Sequence, residues 1–191
     1  MIINLRFVIF TLLILINYNI YCRICVPFIT KFILVCTIYL IRSVRMKQED
    51  LFKRLKDARE SNDLKRKDIA KILGVSRPNY TRWETKEKII PLERLNDLCN
   101  YFNINMDYVI GLSNKKIKVS NSKLDKSIIG KNIKEFRKKN NISQEELANV
   151  LGTTHSVISA YESGKTLILT AFLINLCSEY NLSADKVCGR L

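Results

Sequence analysis

The stretch Leu147–Gly164, LANVLGTTHSVISAYESG, decides the fold. It reads as two short helical patterns broken at Gly152, and the second opens on small polar residues where a core-facing helix would carry apolar ones. Spacing places Leu147, Ala148, Val150 and Leu151 of the first pattern inward. Ser143 and Glu146 just upstream form an S-x-x-E capping box that starts that helix. Gly152 can supply the positive φ of a tight turn, and Thr154 stands where it can cap the next helix. Val157, Ile158 and Tyr161 bury the inner face of that helix, while its first turn stands proud of the domain. The pattern is a helix-turn-helix.

The pattern occurs twice. Ile69–Lys86, IAKILGVSRPNYTRWETK, stands 78 residues earlier with its apolar, glycine and cap positions in register, Ser76 taking the place of Thr154. Without a gap, the same shift carries Arg59 onto Arg137, Ala70 onto Ala148, Gly74 onto Gly152, Glu84 onto Glu162, Cys99 onto Cys177 and Gly111 onto Gly189. Repetition at a fixed period settles the organisation. Residues 46–112 form unit one and 127–191 unit two, each small but able to fold alone. Between them 113–126, SNKKIKVSNSKLDK, reads as a flexible lysine-rich linker. The expected fold class is all-α, with two tandem domains of about five helices each behind an apolar segment, 1–45.

The net charge of +14 suggests a nucleic-acid partner until it is apportioned. Residues 1–48 carry six Lys or Arg and no acid, and the linker five against one, so each repeat holds only about +2. Most of the excess lies outside the repeats, where it adds non-specific attraction to DNA but says little about what either repeat does.

Cys99 and Cys177 sit in matching apolar patterns, LNDLCNYF and LINLCSEY, and read as core thiols. Cys22 and Cys25 make a lone CxxC with no second pair, and His155 is the only histidine in the chain, so no metal site is expected. No paired carboxylates, phosphate-cradling glycine loop or nucleophile with a base is visible. Neither catalytic residues nor a cofactor is expected, and the chain reads as a non-enzyme.

Residues 7–22 and 24–41 are apolar enough to be weighed as membrane spans, but Asn17, Asn19, Pro27 and Lys31 interrupt them. Three readings stand. The segment anchors the chain in a membrane, with Arg42, Arg45 and Lys47 holding both repeats in the cytoplasm; or translation starts at Met46; or a signal is cleaved, although neither Ala nor Gly precedes residue 58.

Both repeats resemble the Cro/C1-type helix-turn-helix of phage repressors, also called the XRE family, a lambda-repressor-like five-helix fold that binds operator DNA. The resemblance covers most of 50–112 and 128–190. Its signature is specific in ISQEELANVLGTTHSVISAYESGK of unit two; unit one, LKRKDIAKILGVSRPNYTRWETKEK, lacks the Ser-Gln start. The resemblance implies structural salt bridges between Arg59 and Glu84 and between Arg137 and Glu162. It places Arg77, Pro78, Thr81 and Arg82 of unit one, and His155, Ser156, Ser159 and Ala160 of unit two, against DNA bases. The plain alternative for such an exposed arginine is a solvated side chain. Gln144, and Arg66 in its place in unit one, are expected on phosphate, while Lys65, Lys67 and Lys71 either grip phosphate or keep the unit soluble. Tyr80, Trp83, Ile158 and Tyr161 are expected in the core.

The implied partner is double-stranded DNA, read in the major groove by a bacterial or phage-related transcriptional regulator of the cytoplasm and nucleoid. The membrane enters only through 1–45. After its motif, unit two departs from unit one: LILTAFLINLC stands for IIPLERLNDLC, with Leu169 in place of Pro91 and Phe172 in place of Arg94. This surplus of apolar residues fits a homodimer surface or a helix docked against unit one. The alternative function is a protein-interaction or antitoxin-like module. Linker reach, at most about 55 Å, exceeds the roughly 34 Å between adjacent half-sites, so both units are expected to reach one duplex.

Overall fold

Each period of the sequence folds into five helices in the computed structural model, which describes residues 51, 53–119 and 123–191. In the first, α1 is helical at 51 and 53–60, followed by α2 (Arg66–Ile72), α3 (Arg77–Glu84), α4 (Leu92–Tyr101) and α5 (Met106–Val109). The second runs α6 (Lys126–Lys139), α7 (Gln144–Leu151), α8 (His155–Glu162), α9 (Thr170–Tyr180) and α10 (Ala184–Val187). No strand occurs among the described residues. The described residues lie within one compact unit, Met46–Leu191.

Local chemistry sets the helix ends. Ser143 Oγ accepts from Glu146 N at 3.1 Å and Glu146 returns a carboxylate to Ser143 N at 2.8 Å. This reciprocal box satisfies two N–H groups that the first turn leaves unpaired. Asp68 makes only the return half in unit one, to Lys65 N at 2.9 Å. Gly74 and Gly152 take φ of +63° and +67°, ending α2 and α7 in the left-handed region that glycine enters without strain. Ser76 accepts from Asn79 N to cap α3. Thr154 differs from expectation: it holds the extended N-cap backbone of α8, but its side chain makes no cap hydrogen bond.

Burial follows the repeat. Ile69 and Ala70 of α2 and Leu73 just after it match Leu147, Ala148 and Leu151 of α7, all buried. Tyr80 and Trp83 meet edge to face at 6.1 Å beneath α3, and Ile158 and Tyr161 fill the same place beneath α8. Cys99 and Cys177 are both fully buried. Val150 is the correction: it is 46% exposed. At about 100° per residue it lies roughly 100° from the centre of the face made by Leu147, Ala148 and Leu151.

The two repeats meet along their last helices. Asp185 accepts from Met106 N at 3.0 Å and Asp107 N at 2.8 Å, capping the start of α5. Asp107 accepts from Ala184 N at 2.5 Å and from the Ser183 hydroxyl at 2.6 Å, capping the start of α10. Thr170 Oγ1 donates to Ile90 O at 2.6 Å, so α9 is docked against unit one at its first residue. In the segment after Leu112, Ile117 N bonds Asn105 Oδ1 at 2.8 Å and Val119 is buried, while 114–118 are exposed.

Among the described residues no helix is long and apolar enough to cross a membrane. The readings of residues 1–45, Cys22 and Cys25 included, lie outside the described residues.

Candidate nucleic-acid interface

A buried carboxylate organises each helix-turn-helix. In unit one Glu84, last residue of α3, receives Arg59 Nε at 2.6 Å, Arg59 Nη2 at 3.3 Å and Arg66 Nε at 2.7 Å. In unit two Glu162, last residue of α8, receives Arg137 Nε at 2.5 Å, Arg137 Nη2 at 2.9 Å and Gln144 Nε2 at 2.7 Å. Each arginine also donates Nη1 to the carbonyl that precedes the second helix, Leu64 or Ile142. Three elements are thereby tied at one point: the first helix, the start of the second and the end of the third. Burial pushes both glutamates up, but the hydrogen bonds from Arg59 and Arg66, or from Arg137 and Gln144, outweigh it and hold them below the ordinary carboxylate range.

This geometry bears on the residues expected at phosphate. Arg66 and Gln144 both lean on the glutamate and fix the second helix against the third. Lys65, Lys67 and Lys71 are exposed. Lys56, Arg59, Lys65, Arg66, Lys67 and Arg77 surround, with Glu60, an open depression of about 520 Å³ at the mouth of the helix-turn-helix. A depression ringed by that many cations attracts an anion. Lys56 went unnoticed in the sequence, although one helical turn separates it from Arg59 and Glu60.

The expected base-facing residues of unit one fall on the outer side of α3. Arg77, Pro78 and Arg82 are exposed and Thr81 half-buried, while Tyr80, Trp83 and Glu84 face inward. Thr81 Oγ1 donates back to Arg77 O at 2.9 Å, and Arg82 lies 3.7 Å from exposed Glu87. On α8, His155 and Ser156 are exposed, and Ser159 and Ala160 half-buried.

The two outer faces differ in charge. Under the 78-residue shift, Lys67 corresponds to Glu145, Lys71 to Asn149, Arg77 to His155 and Arg82 to Ala160. Unit two keeps its cations elsewhere, Lys131, Lys134, Lys138 and Lys139 all lying on α6.

A helix-turn-helix family model matches twice, over residues 55–109 and 133–187. Similar proteins include the antitoxin PezA of Streptococcus pneumoniae, 34% identical over 62 residues, 32% of this chain and 39% of that one. The HTH-type transcriptional regulator YobD of Bacillus subtilis is 28% identical across 47% of this chain and 72% of its own. The control protein C.SmaI of Serratia marcescens is 32% identical across 34% of this chain and 77% of its own. A transcriptional regulator from Listeria innocua of known structure aligns with a TM-score of 0.32 at 24% identity, over 33% of this chain and 59% of that one. The chain thus spans well under half of the antitoxin and about three fifths of the Listeria protein.

Proposed function

This chain belongs to the XRE-family, Cro/C1-type helix-turn-helix proteins, and from that premise we propose that it is a sequence-specific double-stranded DNA-binding transcriptional regulator, acting in the cytoplasm at the nucleoid and not as an enzyme. The observation that carries the reading is the repeated tie of Glu84 and Glu162. It holds each third helix by its C-terminal end and leaves the polar N-terminal turn standing out, the end that enters a major groove. Arg77 and Arg82 supply bidentate donors for guanine, His155 and Ser156 weaker ones, and Pro78, Thr81, Ser159 and Ala160 line the same faces. In unit one Lys65, Lys67 and Lys71 neutralise phosphates with the free edge of Arg66 beside them, and in unit two Gln144 takes the place of Arg66.

Selection from a random duplex library tests this. The enriched site should have two unlike parts and bind about a thousandfold tighter than scrambled DNA. The double substitution of Arg77 and Arg82 by alanine should relax preference in one part only. Uniform, weak, steeply salt-dependent binding would instead leave phosphate attraction alone. It would favour the protein-interaction reading, for which the similarity to an antitoxin and the weakly charged face of α8 speak.

A further inference from the structure

We propose that this chain is its own dimer: unit two is the partner of unit one about a local two-fold axis between Asp107 and Asp185, so that one chain occupies one duplex in one orientation. An isologous contact is recognised by reciprocity, residue i touching j while j touches i. Asp107 and Asp185 are equivalent under the 78-residue shift, as are Met106 and Ala184. Asp185 takes the N–H of Met106, and Asp107 takes the N–H of Ala184. The loops that lead into the fourth helices obey the same relation. Residues 89–93 face 167–171, their own equivalents, across a groove of about 630 Å³.

Two contacts between the units are not returned: Thr170 donates its hydroxyl to the Ile90 carbonyl where its equivalent, Leu92, has no donor, and Arg190 makes the other. Arg190 is buried, its Nε lies 3.0 Å from Asp185 Oδ1, and it crosses to unit one through Asn96 Oδ1, Asn100 Oδ1 at 2.9 Å and the Ile104 carbonyl. Its equivalent in unit one is Leu112, and the equivalents of Asn96 and Asn100 are Ile174 and Ser178. A second copy of unit two in the place of unit one would therefore bring Arg190 against Ile174 and Ser178, withdrawing two amide acceptors from a buried guanidinium. Two copies of unit one would face their Asp107 carboxylates with Leu112 where the arginine stands. Either like pairing leaves the contact incomplete: two copies of unit two would keep Asp185 on Arg190 but offer it neither amide, and two copies of unit one would set half-buried carboxylates together with no arginine, losses that are costly. The unlike pairing alone completes the contact, and the chain contains one of each unit. Its further consequence rests on the DNA-binding reading: two fixed and unlike recognition faces give the bound duplex a direction.

Cross-linking tests the pairing without DNA. Met106 Sδ and Cys188 Sγ lie 3.8 Å apart across the contact. In the full chain carrying Met106→Cys, oxidation by diamide should join 106 to 188 within one chain, seen by peptide mapping and as a monomer on a non-reducing gel. A 106–188 link between two chains, or none, would overturn the proposal. Sedimentation of the unsubstituted full chain with its selected duplex guards against misfolding of the variant. One chain per duplex is expected, and two overturn the proposal. An intact intrachain link with no binding to any duplex would remove the DNA reading and leave the pairing standing.

Discussion

Arg137 and Glu162 meet across 25 residues of sequence with Nε 2.5 Å from Oε1, and one period earlier Arg59 and Glu84 repeat the meeting at 2.6 Å. Both glutamate side chains are almost wholly inaccessible. Replacing one by glutamine keeps its shape but strands an arginine away from water. Glu162→Gln should lower stability by about 3 kcal/mol, the usual cost of removing one partner of a buried pair. Urea unfolding would show it as a lower midpoint at unchanged slope; a shift under about 0.5 kcal/mol would mean that the tie is not a structural element.

The same pair sets a pH dependence. Glu84 and Glu162 are held below their ordinary range, so the folded state binds their protons more weakly than the unfolded chain does. Their contribution is complete above the unfolded carboxylate pKa of about 4.3 and is lost as pH falls through the depressed folded values. Thermal unfolding followed from pH 7 to pH 3 should fall steeply in the native chain. The double variant Glu84→Gln, Glu162→Gln should start lower and fall less.

Asp107 and Asp185 cap each other's helices yet should answer differently to amidation. Burial raises Asp107 above its usual value; the Ser183 hydroxyl opposes this and the Asp185 charge adds to it. A carboxyl raised in the folded state destabilises increasingly as pH climbs from its unfolded to its folded pKa, and fully above. Asp107→Asn removes that cost and keeps an acceptor for Ala184 N, so at pH 7 stability should stay within about 1 kcal/mol of the native chain. Asp185→Asn deprives buried Arg190 of its counter-charge and should cost about 3–5 kcal/mol. Equal losses from the two, measured by denaturant, would contradict the one-sided role given to Arg190.

How much of this was legible depends on whether the signal was local or repeated. Helix boundaries were written in short patterns: a start in Ser143 with Glu146, and an end in Gly152 after Leu151. The Arg137–Glu162 tie was reached only through resemblance, because a separation of 25 residues has no periodicity of its own. Val150 misled because it is apolar at the edge of a face rather than within it. The meeting of Asp107 with Asp185 was hidden, since an acid in the first turn of a helix looks like an ordinary partner for its own helix dipole. Its trace was the exchange of Leu112 for Arg190 at the end of otherwise matched repeats, a charge introduced where an apolar residue had sufficed.

Two glycines separate backbone strain from crowding. A Cβ on Gly152 would meet nothing within 4 Å, but its φ of +67° is strained for any other residue, so Gly152→Ala should cost only about 1 kcal/mol. Gly130 lies on α6 where that helix crosses the end of α8. A Cβ there would press into the Tyr161 carbonyl oxygen and come 2.9 Å from that of Glu162. Backbone has no other rotamer to adopt, and Gly130→Ala should cost about 3 kcal/mol, the upper range for overpacking. If the two variants melted alike, the close crossing of α6 and α8 would be wrong.

The unequal charge of the two outer faces predicts unequal dependence on salt. Lys67 is exposed at the second helix of unit one, where unit two carries Glu145. A lysine against phosphate releases a counterion on binding, so Lys67→Ala should weaken binding by a similar factor on every duplex and reduce the slope of log affinity against log salt by about 1. Glu145→Lys should do the reverse, steepening the slope and tightening binding without altering the selected sequence. Arg82→Ala differs in kind: discrimination at one base pair should fall by about 1–3 kcal/mol. Fluorescence titrations of the three variants at two salt concentrations, on the selected and a scrambled duplex, separate these effects. Should Glu145→Lys leave both affinity and slope unchanged while Lys67→Ala alters them, only unit one would lie against the duplex, and a site of two unlike parts would have to be abandoned.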